Sequence, residues 1–184
     1  GTPLSINTTA SRQGSIETAG GILGGLLTMR AFGGTQDYHQ TFTTVNAART
    51  SEALNRDQII PTTSGGVGGQ WVRPLGMHAL LVGGEGRYIT GSSIETPFAQ
   101  GRALATVDAG GEQRLGSAFV QDTIAWSDRL TMVLGAHGDA WHSTSKVTSN
   151  SKSSGSFNPR ASASYRLGDS GVTVRGAEIG RAHV

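Results

Sequence analysis

Long stretches of the chain alternate polar and apolar side chains, most clearly across residues 157–166. The odd positions of this stretch carry Phe, Pro, Ala, Ala and Tyr, whereas the even positions carry Asn, Arg, Ser, Ser and Arg. Because successive side chains of a β-strand point to opposite faces, the stretch predicts a strand with one apolar face and one polar, partly cationic face. Such a polar face does not fit the dry core of a sandwich. It fits a barrel wall with lipid outside and water inside.

The same alternation recurs along the chain and predicts about eight strands. They cover residues 7–18, 26–44, 62–73, 78–90, 112–126, 129–141, 157–166 and 171–176. Three polar segments between them are predicted to be long loops, namely 46–58, which could carry a short helix, 91–111 and 143–155. The other connections are short, so short and long connections alternate. Outer-membrane barrels show this alternation, because their periplasmic turns are short and their extracellular loops are long.

The predicted strands are long enough to cross a bilayer. Most run to about a dozen residues, whereas strands of globular sheets usually have about five or six and a tilted transmembrane strand needs about 9–11. Aromatic residues near the predicted strand ends suit the girdles at the two membrane interfaces. These residues are Trp71, Tyr88, Trp126, Trp141 and Tyr165. The predicted fold class is therefore all-β: an incomplete, antiparallel, up-and-down transmembrane β-barrel.

Composition removes several other classes of protein. Only 36% of the residues are hydrophobic and no run of about 18 apolar residues occurs, which excludes a helical membrane protein. The 28 glycines favour an all-β chain, and the lack of cysteine excludes disulfides and thiolate metal sites. The net charge of +2 comes with basic residues that are scattered singly, so no nucleic-acid partner is predicted.

The sequence contains no convincing motif for metal binding, phosphate binding or catalysis. His137 and Asp139 would share a strand face, but His142 would point to the opposite face, so no compact metal site is predicted. The glycine-rich segments 65–69 and 83–86 lack the Gly-Lys-Ser/Thr ending of a phosphate-binding loop. No Gly-x-Ser-x-Gly nucleophile elbow is present. We therefore predict neither catalytic residues nor a cofactor, and no enzyme activity.

Charged residues on the predicted strands are the candidate lumen lining. An Arg that faces lipid at mid-bilayer would cost roughly 2–4 kcal/mol. Inside a barrel the same side chain can be solvated, or can contact a ligand or a plug domain. The candidates are Glu85, Arg87, Arg160, Arg166 and Arg175.

The last seven residues, 178–184, break the alternation. They read Glu-Ile-Gly-Arg-Ala-His-Val, and their back-translation matches a common sequencing-library adapter. The bland interpretation is an ordinary charged tail. We expect instead that 1–177 is a partial barrel and that 178–184 is a tail of non-native origin.

Two segments resemble consecutive barrel hairpins of TonB-dependent receptors. The first is Leu-Gly-Ser-Ala-Phe-Val-Gln-Asp-Thr at 115–123, followed by Ser-Asp-Arg-Leu-Thr-Met-Val-Leu-Gly-Ala at 127–136. His137 stands where that family usually has Arg or Tyr, and Asp139 matches the family's Asp. The second is Phe-Asn-Pro-Arg at 157–160, then Ser-Tyr-Arg at 164–166 and Val-Thr-Val-Arg-Gly at 172–176. The resemblance is good from about residue 115 to residue 177. Before residue 115 it rests only on the predicted arrangement of strands and loops.

The resemblance implies a barrel of about 22 strands plugged by an N-terminal domain, of which this chain would supply about eight strands. It implies energy-coupled uptake of a scarce ligand, such as a ferric siderophore or cobalamin, across the outer membrane of a Gram-negative bacterium. The implied partners are outer-membrane lipid, the plug, an inner-membrane energy-coupling protein and the small-molecule ligand. Alternatives are a passive porin or adhesin-type barrel, and a secreted β-sandwich binding module. With two unpaired edges, the isolated chain is not expected to fold on its own.

Overall fold

The structure, a computed structural model, describes residues 2–168, 171–180 and 182–183. All regular elements in these ranges are β-strands. No helix in the described part of the chain is both long and apolar enough to span a bilayer.

The strands are long and follow one another along the chain. Their bounds are β1 Asn7–Ile22, β2 Gly25–Val45, β3 Glu52–Leu75, β4 His78–Ala99, β5 Arg102–Ala103, β6 Val107–Ala125, β7 Leu130–Ser145, β8 Ser151–Leu167, β9 Val172–Ile179 and β10 Ala182–His183. Strands of 16 to 24 residues form most of the wall. All eight predicted strands are present, and most extend beyond their predicted ends.

The strands form one antiparallel sheet in which neighbours in sequence are neighbours in space. The order is β1-β2-β3-β4-β6-β7-β8, with the two-residue β5 folded back on β4 and with β9 and β10 both paired to β8. Among the described residues, β1 pairs only with β2, and neither β9 nor β10 pairs with it. The sheet is thus an open, up-and-down segment of a barrel wall, which confirms the predicted fold class.

The three predicted long loops are wrong, because most of their residues belong to strands. Residues 52–58 begin β3, residues 91–99 end β4, and residues 151–155 begin β8. The short helix considered for 46–58 is also wrong. Residues 46–51 form a turn in which Asn46 Oδ1 accepts hydrogen bonds from the backbone N–H groups of Thr50 and Ser51, at 2.8 and 3.2 Å. The alternation is lost in these segments because both sheet faces carry polar side chains there.

The connections still differ between the two ends of the sheet. At one end, β1 joins β2 through Leu23 and Gly24, whose φ angles of 51° and 71° suit the tight turns that follow the twist of a hairpin. At the other end the connections are longer, as in 46–51 and 146–150. Short and longer connections therefore alternate, although the longer ones are turns rather than extended loops.

The ladder register divides the side chains into two faces, because direct cross-strand partners point to the same side. One face, called the apolar face, includes Ile16, Met29, Val67, Val82, Val120, Leu134, Ala161 and Val174. The opposite face, called the polar face, includes Glu17, Arg30, Glu85, Ser117, Asp139, Ser156 and Ser162. The sheet is a single layer with two chemically different sides.

Apolar side chains of the sheet remain exposed. No hydrophobic residue in the described part of the chain is buried, and Ile16 and Val67 are 72% and 62% exposed. The apolar face forms a band that runs from Leu80 to Tyr88 on β4 and from Phe157 to Tyr165 on β8. Nine residues of strand extend about 30 Å, which matches a tilted bilayer span of about 9–11 residues. This band is the surface that a bilayer would cover.

The aromatic girdle predicted from sequence is correct only in part. Tyr88 and Tyr165 lie at the two ends of the apolar band, and Trp71 lies on the apolar face near a short turn. Trp126 is an exposed turn residue. Trp141 pairs with Leu115 on the polar face, so it does not belong to an outward-facing girdle.

Candidate functional site on the polar face

All five predicted lumen-lining residues lie on the polar face. Glu85 and Arg87 follow each other on this side of β4. Arg160, Arg166 and Arg175 lie on this side of β8 and β9, with β6 and β7 separating them from the β4 pair. The fold therefore brings the five residues to one face, in two groups rather than one cluster.

The first group gains two neighbours that sequence reasoning did not single out. Glu17 on β1 is the direct partner of Arg30 on β2. Gly68 lies between Arg30 and Glu85 in the same row of the sheet. We call Glu17, Arg30, Glu85 and Arg87 the charged row. Because direct partners have Cβ atoms about 4.5–5.5 Å apart, four charges of both signs are concentrated on β1, β2 and β4.

Phe32 organises the arginines of the charged row. A Cβ atom on Gly66, the direct partner of Phe32, would lie 2.6 Å from Phe32 Cζ, so the ring occupies the space that a side chain would fill. The guanidinium carbons of Arg30 and Arg87 lie 5.7 and 6.0 Å from the ring centroid. Both distances fall within the range of cation–π attraction. Because Gly66 has no side chain, the Phe32 ring has the space to interact with both arginines.

The charged row forms no ion pairs within the described part of the chain. The salt bridges found there join His39 to Asp57, Arg56 to Glu95, His78 to Asp122, Arg114 to Glu112 and His137 to Asp139. Buried charges usually require partners, whereas charges on a wet face do not. The two cations and two carboxylates are thus free to contact a second body placed against this face.

The second group is tied to nearby side chains and turns. Arg160 donates a hydrogen bond to the side-chain carbonyl of Gln121 and lies over Gly135, where a Cβ would be 3.1 Å from Arg160 Nε. Arg166 donates from its guanidinium to the carbonyl oxygen of Asp128 at 2.8 Å. This hydrogen bond joins the 126–129 turn to β8, so Arg166 stabilises the turn. Arg175 lies opposite Ser164 and is exposed.

The histidines considered for metal binding lie on different faces. His137 Nε2 is 3.2 Å from Asp139 Oδ1 on the polar face. His142 is on the other face, where its ring nitrogens lie 2.8 and 3.2 Å from the hydroxyls of Ser153 and Thr144. No group of three or more His, Cys, Asp or Glu residues suited to a metal ion is found among the described residues.

Sequence reasoning missed a second polar site, on the parts of β2, β3 and β4 beyond the apolar band. We call it the upper cluster; it consists of Tyr38, Gln40, Arg56, Gln58, Ser93 and Glu95. Gln58, 9% exposed, is the one buried polar residue in the described ranges. Its Nε2 donates to Ser93 Oγ at 2.7 Å and to Glu95 Oε1 at 2.8 Å, and its Oε1 accepts from Gln40. Three strands are linked by this network.

Glu95 is the anionic centre of the upper cluster. Its carboxylate accepts hydrogen bonds from the Ser93 hydroxyl at 3.0 Å and from the Arg56 guanidinium at 2.9 Å. These contacts, that of Ser93 first, hold the pKa of Glu95 below its ordinary 4.5. Arg56 also lies 4.1 Å above the Phe42 ring. A sequence signal for this site was the pair of β-branched residues Ile59 and Ile60, which lie upstream of Pro61 and extend β3 toward the segment predicted to be a loop.

A one-layer antiparallel sheet with an exposed apolar band on one side and charges on the other defines a wall segment of a transmembrane β-barrel. The protein family is shown by comparison. The family model "TonB dependent receptor-like, beta-barrel" matches residues 6–182, so the chain belongs to this family. No curated protein matches the chain.

Three solved structures share the fold. The unliganded ferric citrate transporter FecA superposes with a TM-score of 0.67 at 14% identity, over 91% of this chain and 26% of that one. BauA, the ferric preacinetobactin receptor from Acinetobacter baumannii, gives 0.66 at 10% identity, over 92% and 30%. The ferric-catecholate import receptor Fiu from E. coli K12 gives 0.58 at 13% identity, over 92% and 35%. This chain therefore spans about a quarter to a third of those proteins.

Proposed function

We propose that the chain is a wall segment of an outer-membrane receptor that takes up a scarce compound with energy from the inner membrane. The observation that carries this proposal is the exposed apolar band, which needs lipid, on the wall of a sheet whose family is that of TonB-dependent receptor barrels. The receptor would act as a transporter and not as an enzyme. Its location would be the outer membrane of a Gram-negative bacterium.

The cargo we propose is a ferric siderophore, with cobalamin as the second candidate. The support is indirect: the three structural neighbours are named for ferric citrate, ferric preacinetobactin and ferric catecholates. The upper cluster, on the strand extensions beyond the band, would lie on the extracellular side and would help to capture the cargo. This role replaces that of the three loops predicted from sequence.

The polar face is proposed to border the lumen of the complete barrel. Glu85, Arg87, Arg160, Arg166 and Arg175 would then line the aqueous side, mostly as solvated wall. The unpaired charges of the charged row, which include Glu85 and Arg87, are the part of this lining that a plug domain would contact. An inner-membrane energy-coupling protein would act through that plug.

We also propose that the tail 178–184 is non-native and that the wall proper is 1–177. Glu178 pairs with Ala161, so its carboxylate lies on the apolar face in the middle of the band. A charge at this depth is costly, and the other carboxylate of this row, that of Asp122, is bonded to His78 at 2.6 Å. Re-sequencing the locus tests this proposal, because a genomic clone that encodes the heptapeptide would refute it.

The proposed transport function is tested in the complete receptor that contains this chain. A strain lacking its other iron receptors should grow on the cognate ferric siderophore as sole iron source only when the receptor and the energy-coupling protein are both present. The control is the same strain supplied with an iron salt that needs no receptor. Uptake that persists without the energy-coupling protein would instead establish a passive pore.

A further inference from the structure

The polar face carries a concavity between the charged row and the upper cluster. It is formed by β1, β2, β3 and β4, and its volume of about 420 Å³ falls within the range of small-molecule sites. Its floor is the backbone at Gly34 and the ring of Phe32, which leans over Gly66. A Cβ atom on Gly34 would lie 2.6 Å from the carbonyl oxygen of Arg12, so the floor has no room for a side chain there. We call this concavity the shelf.

Two cations border the shelf. Arg30 and Arg87 both line it, and their guanidinium carbons lie 5.7 and 6.0 Å from the centroid of the Phe32 ring. The attraction of both groups to the ring limits their motion. A guanidinium has five N–H donors and no acceptor, and neither arginine forms a salt bridge or a side-chain hydrogen bond within the described part of the chain. Two sets of positioned donors therefore border the shelf.

Neutral polar side chains complete the lining. They are Ser11, Gln13, Ser15, Gln36, Thr62 and Ser64. None of these side chains forms a hydrogen bond with another described residue. In the upper cluster, by contrast, the polar side chains bond to one another, as Gln58 does to Ser93 and Glu95. The lining of the shelf therefore keeps its donors and acceptors for water or for a ligand.

The charges around the shelf differ between its two sides. Glu17 and Glu85 lie in the row of Arg30 and line the next concavity toward the short turns, not the shelf. Above this row, and up to the upper cluster, the described strands β1 to β4 place no carboxylate on the polar face. The side chains of Arg12 and Asp37 lie on the apolar face. The two arginines of the shelf thus separate two carboxylates from a lining of hydroxyls and amides.

This lining selects a ligand with two kinds of oxygen. The arginines can only donate hydrogen bonds, and the two oxygens of a carboxylate match the planar fork of a guanidinium. The amides and hydroxyls can both donate and accept, so they suit hydroxyl groups beside that carboxylate. A phosphate monoester carries about −1.5 to −2 charges, and the nearby Glu17 and Glu85 disfavour its second negative charge. The shelf therefore suits a hydroxycarboxylate better than a phosphate.

We propose that the shelf binds a hydroxycarboxylate group of the cargo, as a second binding site below the upper cluster. The proposal rests on the proposed transport function and narrows its cargo to compounds that carry a carboxylate and hydroxyls. The upper cluster meets the cargo first, whereas the shelf lies deeper, beside the upper border of the apolar band at Tyr88. Glu17 and Glu85, on the other side of the arginines, remain open to a plug domain.

The experiment uses the complete receptor, purified from outer membranes in detergent and titrated calorimetrically with tartrate, which carries carboxylates beside hydroxyls. R30Q and R87Q should each weaken tartrate binding at least about tenfold, because a hydrogen bond to a charged group contributes about a factor of ten or more. The double variant R30Q/R87Q should weaken it at least about 100-fold. The matched control is K152Q, which removes a cation from the same face and from the row of Gly34 and Ser64, but on β8, outside the shelf. This control should bind like the unmodified receptor.

Two further arms test the shape and the charge of the shelf. S64F adds a ring inside the shelf and leaves both arginines in place, so it should also weaken tartrate binding. Dimethyl tartrate keeps the hydroxyls but has no charge, and it should bind the unmodified receptor as weakly as tartrate binds R30Q/R87Q. Heat-modifiability on gels checks that each variant forms a folded barrel. Unchanged tartrate binding by folded R30Q/R87Q or S64F, equal loss in K152Q, or equal affinity for inorganic phosphate would each overturn the proposal.

The iron-starved strain that tests transport also separates the two proposals. A receptor that supports no energy-dependent uptake of a ferric siderophore refutes the proposed function. A receptor that supports such uptake but still binds tartrate without Arg30 and Arg87 refutes only the shelf. Uptake by the unmodified receptor, together with loss of tartrate binding in R30Q/R87Q, supports both.

Discussion

The two faces of the sheet make opposite predictions for the same substitution. Ala136 lies on the apolar face between Val120 on β6 and Pro159 on β8, about halfway along the band. Ser162 lies on the polar face beside Val133, three residues from Ala136 along β7. Arginine at either site adds the same charge at a similar depth. Only the medium that the new side chain meets differs.

The expected cost follows from depth in the bilayer. An Arg that faces lipid near the midplane destabilises an outer-membrane barrel by about 2–4 kcal/mol. The direct ladder partners of Ala136 are Val120 and Pro159, and the nearest carboxylate on this face, that of the diagonal neighbour Asp122, is already bonded to His78 at 2.6 Å. We therefore expect an ion pair to offset little of the cost of A136R. Since about 1.4 kcal/mol corresponds to a factor of ten, A136R should lower the folding equilibrium constant by about 30-fold to 1,000-fold. S162R should change it by less than about threefold, because solvated surface substitutions usually stay within about 0.5 kcal/mol.

The assay is heat-modifiability on gels combined with urea titration of the complete receptor in lipid vesicles. A136R should shift the unfolding midpoint to lower urea and reduce the amount of folded, fast-migrating species in outer membranes. S162R should behave like the unmodified receptor. Equal shifts for both variants, or a larger shift for S162R, would refute the assignment of the apolar face to lipid.

Two further predictions concern single sites. Hydrogen-exchange protection of β3 and β4 around Gln58 should fall below pH 4.5. The folded state lowers the pKa of Glu95, so the stability that its carboxylate contributes is complete above pH 4.5 and is lost as the pH falls through the lowered pKa. If the variant E95Q lost the same amount of protection over this pH range, Glu95 would not be the cause. G66A should destabilise the barrel by about 1–3 kcal/mol, because a Cβ there would lie 2.7 Å from the carbonyl oxygen of Gly86 as well as against Phe32. The control G14A adds a Cβ that meets nothing within 4 Å, and an equal loss in G14A would show that close contact at Gly66 is not the reason.

Local alternation in the sequence was sufficient to predict the strands inside the band. Residues 157–166 carry a two-residue period because lipid and water lie on opposite sides of the wall, and each side chain faces one or the other. The same alternation predicted a polar face for five charged residues, and the strand register puts all of them on the polar face. They are Glu85, Arg87, Arg160, Arg166 and Arg175.

The two-residue alternation of polar and apolar side chains did not reveal strands where both faces of the sheet are polar. Segments 52–58 and 91–99 read as loops, yet they are strands, because backbone hydrogen bonds to neighbouring strands hold them whatever their side chains. The upper cluster was missed for that reason. The prediction that Trp141 belongs to the aromatic girdle was wrong for a different reason. The sequence shows that Trp141 lies near a strand end, but the side of the sheet that it faces depends on its pairing with Leu115.

What the sequence by itself determined is the wall: strands, their polarity and the kind of surroundings that each face requires. What only the tertiary structure decided is which distant residues become neighbours. Arg30 joins Glu85 across Gly68, Gln58 joins Glu95, and Phe32 joins Arg87 across Gly66 through register between strands. A one-residue slip would move each of these side chains to the other face. The pairing of strands, a long-range property, therefore creates the sites.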